Sequence, residues 1–585
     1  MAKNSISPFP TSKTIVLLII GVLCISALHK QTKGTSLNNI NWDGYGYYLY
    51  LPALFIYKDC QKYEFVRDHM SQYKVSDSDY QLIRYADDKK YPRYNIGLSL
   101  IWTPFFLTAN FIASSIYKIP QDSLSAPYQW SIIICHLLFI VLGFVYLRKF
   151  LLNLYNDKVV GVSLFLLALA TNLYYYTSSE IALTHSYLFS LLACFLFQFY
   201  QYKETETKKS LIWSCLLFGL MVLIRSSELL LIIIPFFYKL NRQSFKSNFF
   251  LCLKLGLTAI AFIFFQLLFY KVTTGTWLRN GYGDRSFDLL DPHIIEGLLS
   301  YARGWLVYTP LMLFVLLGIP TLLKIQRDWF LPILICLLAN IYILFSWDIW
   351  WYGDTFGSRP MVQHYAYLSI PLAAFISWLQ EKSKVVKYPM FLLLAFTLFL
   401  NLFQTWQYDN RILPLGMINK EYYWASYLKA TKDNGRKVLI DVPESKLGAD
   451  FKEEFFQSNE VISSFGKDQE TYQEFTTIKA IPILADNLED LSSTRIGIEI
   501  EASYIGDSFG EWDPPKLVTQ ITRGTEIIKW TGVRIPIVMN DRNQDVISYN
   551  FLSPELMVGD KIQALIWNTT KDQVIVRSFK LQTKD

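Results

Sequence analysis

The sequence predicts an α-helical polytopic membrane protein that ends in a β-sandwich domain. Of its 585 residues, 52% are hydrophobic and 16% are aromatic, which is rich for a soluble protein. The apolar residues gather into runs long enough to cross a hydrocarbon core of about 30 Å. After Tyr408 these runs stop, and short alternating segments separated by turns predict strands.

The transmembrane domain is expected over residues 1–408, with about 11 spans and a first outer loop at 30–95. The first apolar run follows Lys3 and Lys13. It is interpreted as a retained span, because no small-x-small cleavage site follows it. The candidate spans lie near 14–29, 128–147, 158–176, 181–202, 211–224, 227–239, 249–271, 305–324, 328–347, 362–380 and 388–408.

Lysine and arginine are unevenly shared between alternate connections. The richer set includes Arg148, Lys149, Lys158, Lys208 and Lys209, and the positive-inside rule places it in the cytoplasm together with the amino terminus. The poorer set, which faces the other side, holds Arg225, Lys271, Arg279, Arg285, Arg303 and Arg359. We therefore expect a multi-pass protein of the cell (inner) membrane whose C-terminal domain is extracytoplasmic, or periplasmic.

This orientation has consequences for two apolar runs. Residues 96–119, broken at Pro104, should lie along or dip into the outer leaflet, and residues 211–239 should form two short helices that turn at 225–228. In the alternative, 96–118 crosses the membrane and 211–239 is a single span. The alternative misplaces the arginines and lysines at 148–149 and 208–209, so the first arrangement is preferred.

The predicted outer loops are dense in ionisable and aromatic residues. Asp43 comes first, among aromatic residues and beside Gly44 and Gly46, shortly after the first span. A single acid in this place is either a solvated loop residue or a catalytic group at the interface. Because ionisable groups at membrane depth are costly and several converge on one face, the pattern favours one outer site.

The loop at 347–360 is the most informative of these connections. It combines Trp351 and Tyr352 with two glycines and with Arg359, which stands just before the next span. An ordinary interfacial belt would account for the aromatic residues, but not for the glycines and the arginine. A guanidinium can bind a phosphate through paired hydrogen bonds, and indole faces stack on sugar rings.

Four further residues carry related chemistry. Arg285 and Arg303 belong to the outer loop around 271–304, where a solvated loop with local pairing is the alternative. Glu180 and His185 flank the outer start of a helix. Glu180 could serve the site or merely favour the helix N-terminus, and His185 could be a ligand or a satisfied residue of the bundle.

Three other features have simpler interpretations. Arg225 and Glu228 are expected to form a buried ion pair that holds a helical hairpin, and Arg93 is a candidate contact of lipid phosphate. The residues at 77–79, Asp-Ser-Asp, have the spacing of a metal-binding motif, but they lie in a charged loop without a flanking strand and are interpreted as solvated.

Several classes of function are excluded or left without support. The net charge of +6 sits largely in short loops and reports membrane orientation, so no nucleic-acid partner is expected. We find no Walker loop, no nucleophile elbow and no CxxC motif. No cofactor is required; a divalent cation is a further candidate, although no ligand cluster demands one.

The order and sidedness of these motifs resemble the GT-C superfamily of membrane glycosyltransferases. The shared features are an acid soon after the first span, a Tyr-Pro-x-x-Asn-x-Gly approach to the next helix, a turn with Glu and His, and a Trp-x-x-Trp-Trp-x-Gly…Gly-x-Arg-Pro loop. The resemblance covers about residues 1–408 and is nearest to bacterial relatives of protein O-mannosyltransferases and aminoarabinose transferases. The family often has an Asp-Glu pair at the first acid, whereas this chain has Asp43-Gly44.

The resemblance implies an inverting sugar transfer from a polyprenyl-phosphate donor at the outer leaflet to a glycan, lipid or protein acceptor. Asp43 would then be the catalytic acid of the first loop, with Glu180 as the candidate second acid. Arg359, with Arg285 or Arg303, would stabilise the departing phosphate, and His185, Trp351, Tyr352 and Arg93 would line the substrate site.

The tail is expected to hold a connector at 409–459 and a jelly-roll-like domain at 460–585. Its alternating segments predict seven strands, at 476–483, 495–504, 516–522, 526–530, 546–551, 561–568 and 573–581. The domain could bind glycan or acceptor, shield the site, or act as a structural cap.

Two other functions compete with the transferase. A polysaccharide polymerase, flippase or other transporter of envelope glycans would be expected to show internal repeats and charges at the midplane, whereas here the charges lie at the outer rim. A non-enzymatic receptor would leave the arginines of the outer loops without a role.

The orientation is testable with single cysteines introduced at Lys158 and Arg285 in a variant without native cysteines. A membrane-impermeant maleimide added to intact cells should label position 285 and leave position 158 unlabelled until the membrane is opened. Labelling of position 158 in intact cells would overturn the helix arrangement.

Overall fold

The computed structural model describes residues 10–33, 37–76, 78–86, 88–283, 285–414, 416–446, 475–482, 495–505, 514–539, 545–568 and 573–584. The chain divides into two compact units, Met1–Thr405 and Trp406–Asp585. Asp77 of the Asp-Ser-Asp motif, Asp284 and the predicted domain boundary at 459 lie outside the described residues.

The first unit is mainly helical. Its helices are Ser12–Gln31, Trp42–Tyr48, Tyr50–Phe55, Phe65–Tyr73, Gly97–Phe111 with Ile112–Tyr117, Ala126–Leu151, Asp157–Leu169, Leu173–Ser178, Thr184–Thr205, Lys208–Ile224, Ser226–Ile232, Ile233–Phe237, Ser244–Thr274, Ile294–Leu299, Trp305–Tyr308, Leu311–Ile325, Arg327–Trp329, Phe330–Phe345, Arg359–His364, Tyr365–Gln380 and Lys384–Asp409. Each predicted span coincides with one of these helices or with a consecutive pair.

Several of these helices have the length and composition of membrane spans. Among the described residues, six helices are long and apolar enough to cross a bilayer: Ser12–Gln31, Gly97–Tyr117, Ala126–Leu151, Ser244–Thr274, Arg327–Phe345 and Lys384–Asp409. Two shorter apolar helices are Ser226–Phe237 and Leu311–Ile325. The predicted class of fold, apolar helices followed by a β region, is confirmed, whereas the count of spans and their orientation remain predictions.

The expected break at Pro104 is wrong, because the helix Gly97–Phe111 continues through that residue. The hydroxyls of Thr103 and Thr108 donate to the carbonyls of Ser99 and Pro104, at 2.8 Å each. A proline inside a membrane helix removes one backbone hydrogen bond, here the one to the carbonyl of Leu100, and does not by itself end the helix. The chain does turn at Arg225, whose backbone is extended between two helical segments.

The first outer loop is a folded element. Short helices and an antiparallel hairpin, β1 (Leu82–Ala86) and β2 (Lys89–Pro92), fill much of it. Buried Tyr45, Tyr63 and Leu82 belong to a hydrophobic cluster that also includes residues of the helices Gly97–Phe111 and Ala126–Leu151. The loop therefore shares its core with two long helices, while Asp88 and Lys89 are exposed.

The second unit contains the predicted β-sandwich. Its seven strands are β3 (Phe475–Pro482), β4 (Arg495–Ile505), β5 (Lys516–Arg523), β6 (Glu526–Arg534), β7 (Asp545–Leu552), β8 (Asp560–Trp567) and β9 (Gln573–Lys584). They form two antiparallel sheets, in the orders β3-β8-β5-β6 and β7-β4-β9. Hydrogen-bonded neighbours are mostly distant in sequence, which is typical of a jelly roll and not of a meander.

The two sheets share one hydrophobic core. Leu517 and Ile562 come from one sheet and Ile498 and Phe579 from the other, and all four are buried in the same cluster. Alternation along each strand places these residues inward. The short helix Val438–Asp441 adds Val438 to this core.

Candidate active site

The site is built around the short helix Trp42–Tyr48, which places Asp43 in its first turn. Gly44 and Gly46 allow this helix to pack closely against its neighbours. A Cβ on Gly44 would lie 2.6 Å from the Cβ of Ala182, and one on Gly46 would lie 2.5 Å from the ring of Tyr94. The two glycines that flank Asp43 in the sequence are therefore required by packing.

Asp43 is held by three partners and is only 18% exposed. The hydroxyls of Tyr80 and Tyr94 both donate to its Oδ1, at 2.6 and 2.7 Å. Its Oδ2 lies 2.9 Å from Nη1 of Arg359, whose side chain is 20% exposed. The structure thus brings together the acid of the first outer loop and the arginine of the 347–360 loop.

The position of Arg359 follows from a buried amide. Nδ2 of Asn172 donates to the carbonyl of Phe356 at 3.1 Å, and its Oδ1 accepts from the hydroxyl of Tyr365 at 2.6 Å. Gly357, with a φ of 63°, turns the chain between these contacts and Arg359. These contacts therefore fix the loop that carries the Arg359 guanidinium, just before the helix Tyr365–Gln380.

The surroundings keep Asp43 ionised. Burial opposes its charge, but the guanidinium of Arg359 and the hydrogen bonds from Tyr80 and Tyr94 outweigh burial, so the pKa of Asp43 is below its usual value. Burial, together with the charge of Asp43, raises the pKa of Tyr80. The carboxylate can accept a proton, but Arg359 makes it a weak base in this arrangement.

A second chain of polar contacts fixes the segment that follows Arg359. Oε1 of Gln363 accepts a hydrogen bond from Nδ1 of His185 at 2.8 Å, and Nε2 of Gln363 donates to Oε1 of Glu228 at 2.9 Å. All three side chains are buried. His185, predicted as a substrate contact, is thus engaged with Gln363 and helps to position the helix Arg359–His364.

The predicted ion pair between Arg225 and Glu228 is wrong. Glu228 bonds to Gln363, and no carboxylate of a described residue forms an ion pair with Arg225. The guanidinium instead lies 6.0 Å from the ring centroid of Tyr352. Burial raises the pKa of the Tyr47 hydroxyl, and the charges of Arg225 and Arg359 both oppose this rise.

Arg285 and Arg303, the other predicted phosphate ligands, pair with carboxylates other than Asp43. Exposed Arg285 pairs with Asp348 at 3.4 Å. Arg303 is 3% exposed, lies 3.8 Å from Asp354, and donates to the carbonyl of Ala302 at 2.7 Å. The phosphate-binding roles of both arginines stay predictions.

The remaining predicted residues lie around the rim. Oε1 of Glu180 accepts from the hydroxyl of Tyr175 at 2.9 Å, and Glu180 and Asp43 do not hydrogen-bond to each other. Nε of Arg93 donates to the carbonyl of Tyr80 at 2.8 Å, so Arg93 supports a partner of Asp43. Nε1 of Trp351 is buried and has no hydrogen-bond partner.

Among the described residues, no group of three or more His, Cys, Asp and Glu side chains is arranged to hold a metal ion. The Asp43–Arg359 pair joins one carboxylate to one guanidinium, and a guanidinium is suited to binding an anionic ligand.

Comparisons with known proteins find similarity among solved structures. No protein-family model matches the chain, and no curated protein matches it. Among solved structures, the chain is similar to the crystal structure of the Archaeoglobus fulgidus oligosaccharyltransferase in the apo form, with a TM-score of 0.40 and 12% identity. The match covers 70% of this chain and 57% of that one, so it spans little more than half of that enzyme.

The Asp43–Arg359 pair should contribute to stability. Replacing either partner (Asp43→Asn or Arg359→Gln) leaves a mostly buried charge unpaired and should lower the free energy of unfolding by about 3 kcal/mol. The double variant should lose less than the sum of the two. Unfolding of the purified protein, followed in detergent, measures the cycle.

The exposed Arg285–Asp348 pair provides the control for this cycle, since an ion pair at the surface contributes only about 0–1 kcal/mol. Equal losses at the two pairs would contradict the burial argument.

Proposed function

We propose that this protein is a membrane glycosyltransferase that moves a sugar from a polyprenyl-phosphate donor to an acceptor on the extracytoplasmic side. The observation that carries the proposal is the pairing of Asp43 with Arg359 at 2.9 Å. A second guanidinium, that of Arg225, lies 6.0 Å from the ring centroid of Tyr352 in the same loop as Arg359, and it forms no ion pair with a carboxylate of the described residues. A proton acceptor and a phosphate-binding group thus meet in one largely buried place.

The reaction is a single displacement at the anomeric carbon. The hydroxyl oxygen of the acceptor attacks this carbon as the bond to the phosphate oxygen breaks, and Asp43 accepts the proton of the hydroxyl. Polyprenyl phosphate leaves with the bonding electrons. Arg359 and Arg225 stabilise the charge that develops on the phosphate, because guanidiniums placed in a poorly hydrated site act strongly on a developing anion.

The Asp43–Arg359 pair also sets the order of donor binding and activation of the base. Without donor, Arg359 binds Asp43 and weakens it as a base. A bound phosphate competes for the same guanidinium, and each hydrogen bond that Arg359 transfers to the phosphate makes the carboxylate more basic. The donor thereby activates the base that the acceptor needs, which limits activation of hydroxyls to the loaded site.

A transporter of envelope glycans is the second candidate. The chain Glu228–Gln363–His185 favours it, since buried ionisable groups inside a helical bundle are typical of transport pathways. The two candidates differ in their products, because only a transferase releases polyprenyl phosphate.

The deciding experiment incubates the purified protein in nanodiscs with radiolabelled polyprenyl-phospho-sugars and a membrane extract as acceptor. Asp43→Asn should lower the transfer rate by about 10²–10⁴-fold, the usual contribution of a general base. The matched control is Asp79→Asn, which removes a carboxylate of the same loop that is paired with Lys90. Rates are compared at a temperature where size-exclusion profiles show all variants folded. Asp43→Asn with most of the wild-type rate would refute the assignment.

The pH dependence tests the environment of Asp43. Because its pKa is lowered, the wild type should keep the basic form of Asp43 throughout the range from weakly acid to neutral pH. Tyr80→Phe and Tyr94→Phe each remove a hydrogen bond that favours the carboxylate, so the acid limb of the kcat/KM profile should move to higher pH. Tyr91→Phe, at a hydroxyl that donates to the carbonyl of Asn280, is the control and should leave the limb unmoved.

A further inference from the structure

Trp42, the residue before Asp43, has a backbone conformation that its side chain disfavours. Its φ is 45°, in the left-handed region that glycine adopts freely and that is a genuine outlier for a bulky residue. The conformation is imposed from both sides: the amide of Trp42 donates to the carbonyl of Val75 at 2.8 Å, and its carbonyl accepts from Nε2 of Gln81 at 3.3 Å.

Burial of the indole does not compensate for this strain. The indole is 49% exposed, and its ring lies 6.2 Å from the ring of Tyr80 with an angle of 37° between the planes. Val75, Tyr80 and Gln81 belong to the polar first outer loop, so the contacts of Trp42 differ from those of a tryptophan that anchors a helix in lipid. Glycine or asparagine would fit this backbone with less strain.

Tyr80 links the indole of Trp42 to the carboxylate of Asp43. Tyr80 packs against Trp42 on one side, and its hydroxyl donates to Oδ1 of Asp43 at 2.6 Å on the other. A ligand that covers the free face of the indole therefore lies about one side chain away from Asp43. Strained residues with exposed side chains are found preferentially at ligand-binding sites.

We propose that Trp42 is the sugar-binding platform of this site, with its indole face stacked on the apolar face of a pyranose ring. The inference rests on the proposed function and deepens it, because it assigns the residue that holds the ring beside Asp43. The ring can belong to the donor or to an acceptor glycan; both present the same C–H face to an aromatic plane.

The experiment measures binding separately from transfer, with the full-length protein in nanodiscs. Dissociation constants are determined for geranyl phosphate and for geranyl phosphate esterified with mannose, glucose or galactose. A second arm uses mannotriose, maltotriose and chitotriose, which carry no lipid phosphate. The difference between sugar-bearing and sugar-free probes isolates the contribution of the ring.

The variants are Trp42→Gly, which removes the indole and relieves the backbone, and Trp42→Phe, which keeps an aromatic face. Trp42→Gly should weaken at least one sugar-bearing probe about tenfold or more, while Trp42→Phe should retain most of the affinity. Geranyl phosphate alone should bind equally to all three proteins. The thermal midpoint of Trp42→Gly should stay within a few degrees of the wild type, since relief of strain offsets the lost contact with Tyr80.

Lys74→Gly is the matched control. Lys74 is an exposed residue of the same loop with a φ of 50°, so its replacement relieves similar strain without removing a ring. Loss confined to the phosphate esters assigns the platform to the donor, and loss confined to the trisaccharides assigns it to the acceptor. If Trp42→Gly binds every sugar as the wild type does, or if the wild type gains nothing from any sugar, the platform is refuted. Sugar binding that depends on Trp42 without any transfer would refute the transferase and leave the platform standing.

Discussion

The ion pair between Asp43 and Arg359 is the constraint on which the site depends. Each charge is largely removed from water, so neither is tolerable without the other. The pair consequently ties the first outer loop to the loop before the helix Tyr365–Gln380. Buried amides act as the scaffold for this contact, since Asn172 fixes the approach to Arg359 and Gln363 fixes the turn that follows. The first outer loop and the 347–360 loop must therefore both be folded before either charge has its partner.

The predictions from sequence succeeded where one strong physical signal decides the structure. Apolar runs located the helices, and strict alternation located all seven strands of the sandwich to within a few residues. Asp43 and Arg359 are candidate site residues because ionisable groups at membrane depth are costly, and their roles stay predictions. The break expected at Pro104 is wrong, because a proline removes only one backbone hydrogen bond and the helix Gly97–Phe111 continues through it.

Other residues could not be found from their types. Tyr80 and Gln363 are neutral, and only the fold shows that one donates to Asp43 and the other joins His185 to Glu228. Arg225 and Glu228 have the i, i+3 spacing of a helical ion pair. That rule assumes helical geometry at both residues, and the backbone of Arg225 is extended. The spacing therefore does not bring the two groups within ion-pair distance, although their charges still attract each other.

The helix Ser244–Thr274 bears on the lipid surroundings of the protein. With 31 residues it is about 46 Å long, whereas the hydrocarbon core of a typical bilayer is about 30 Å thick. A straight helix of this length can fit only by tilting or by projecting into the head groups. Exposed apolar side chains extend along the helix from Phe245 to Val272. Membrane thickness should therefore bias the inclination of this helix, and the same polypeptide would sit differently in thin and thick bilayers.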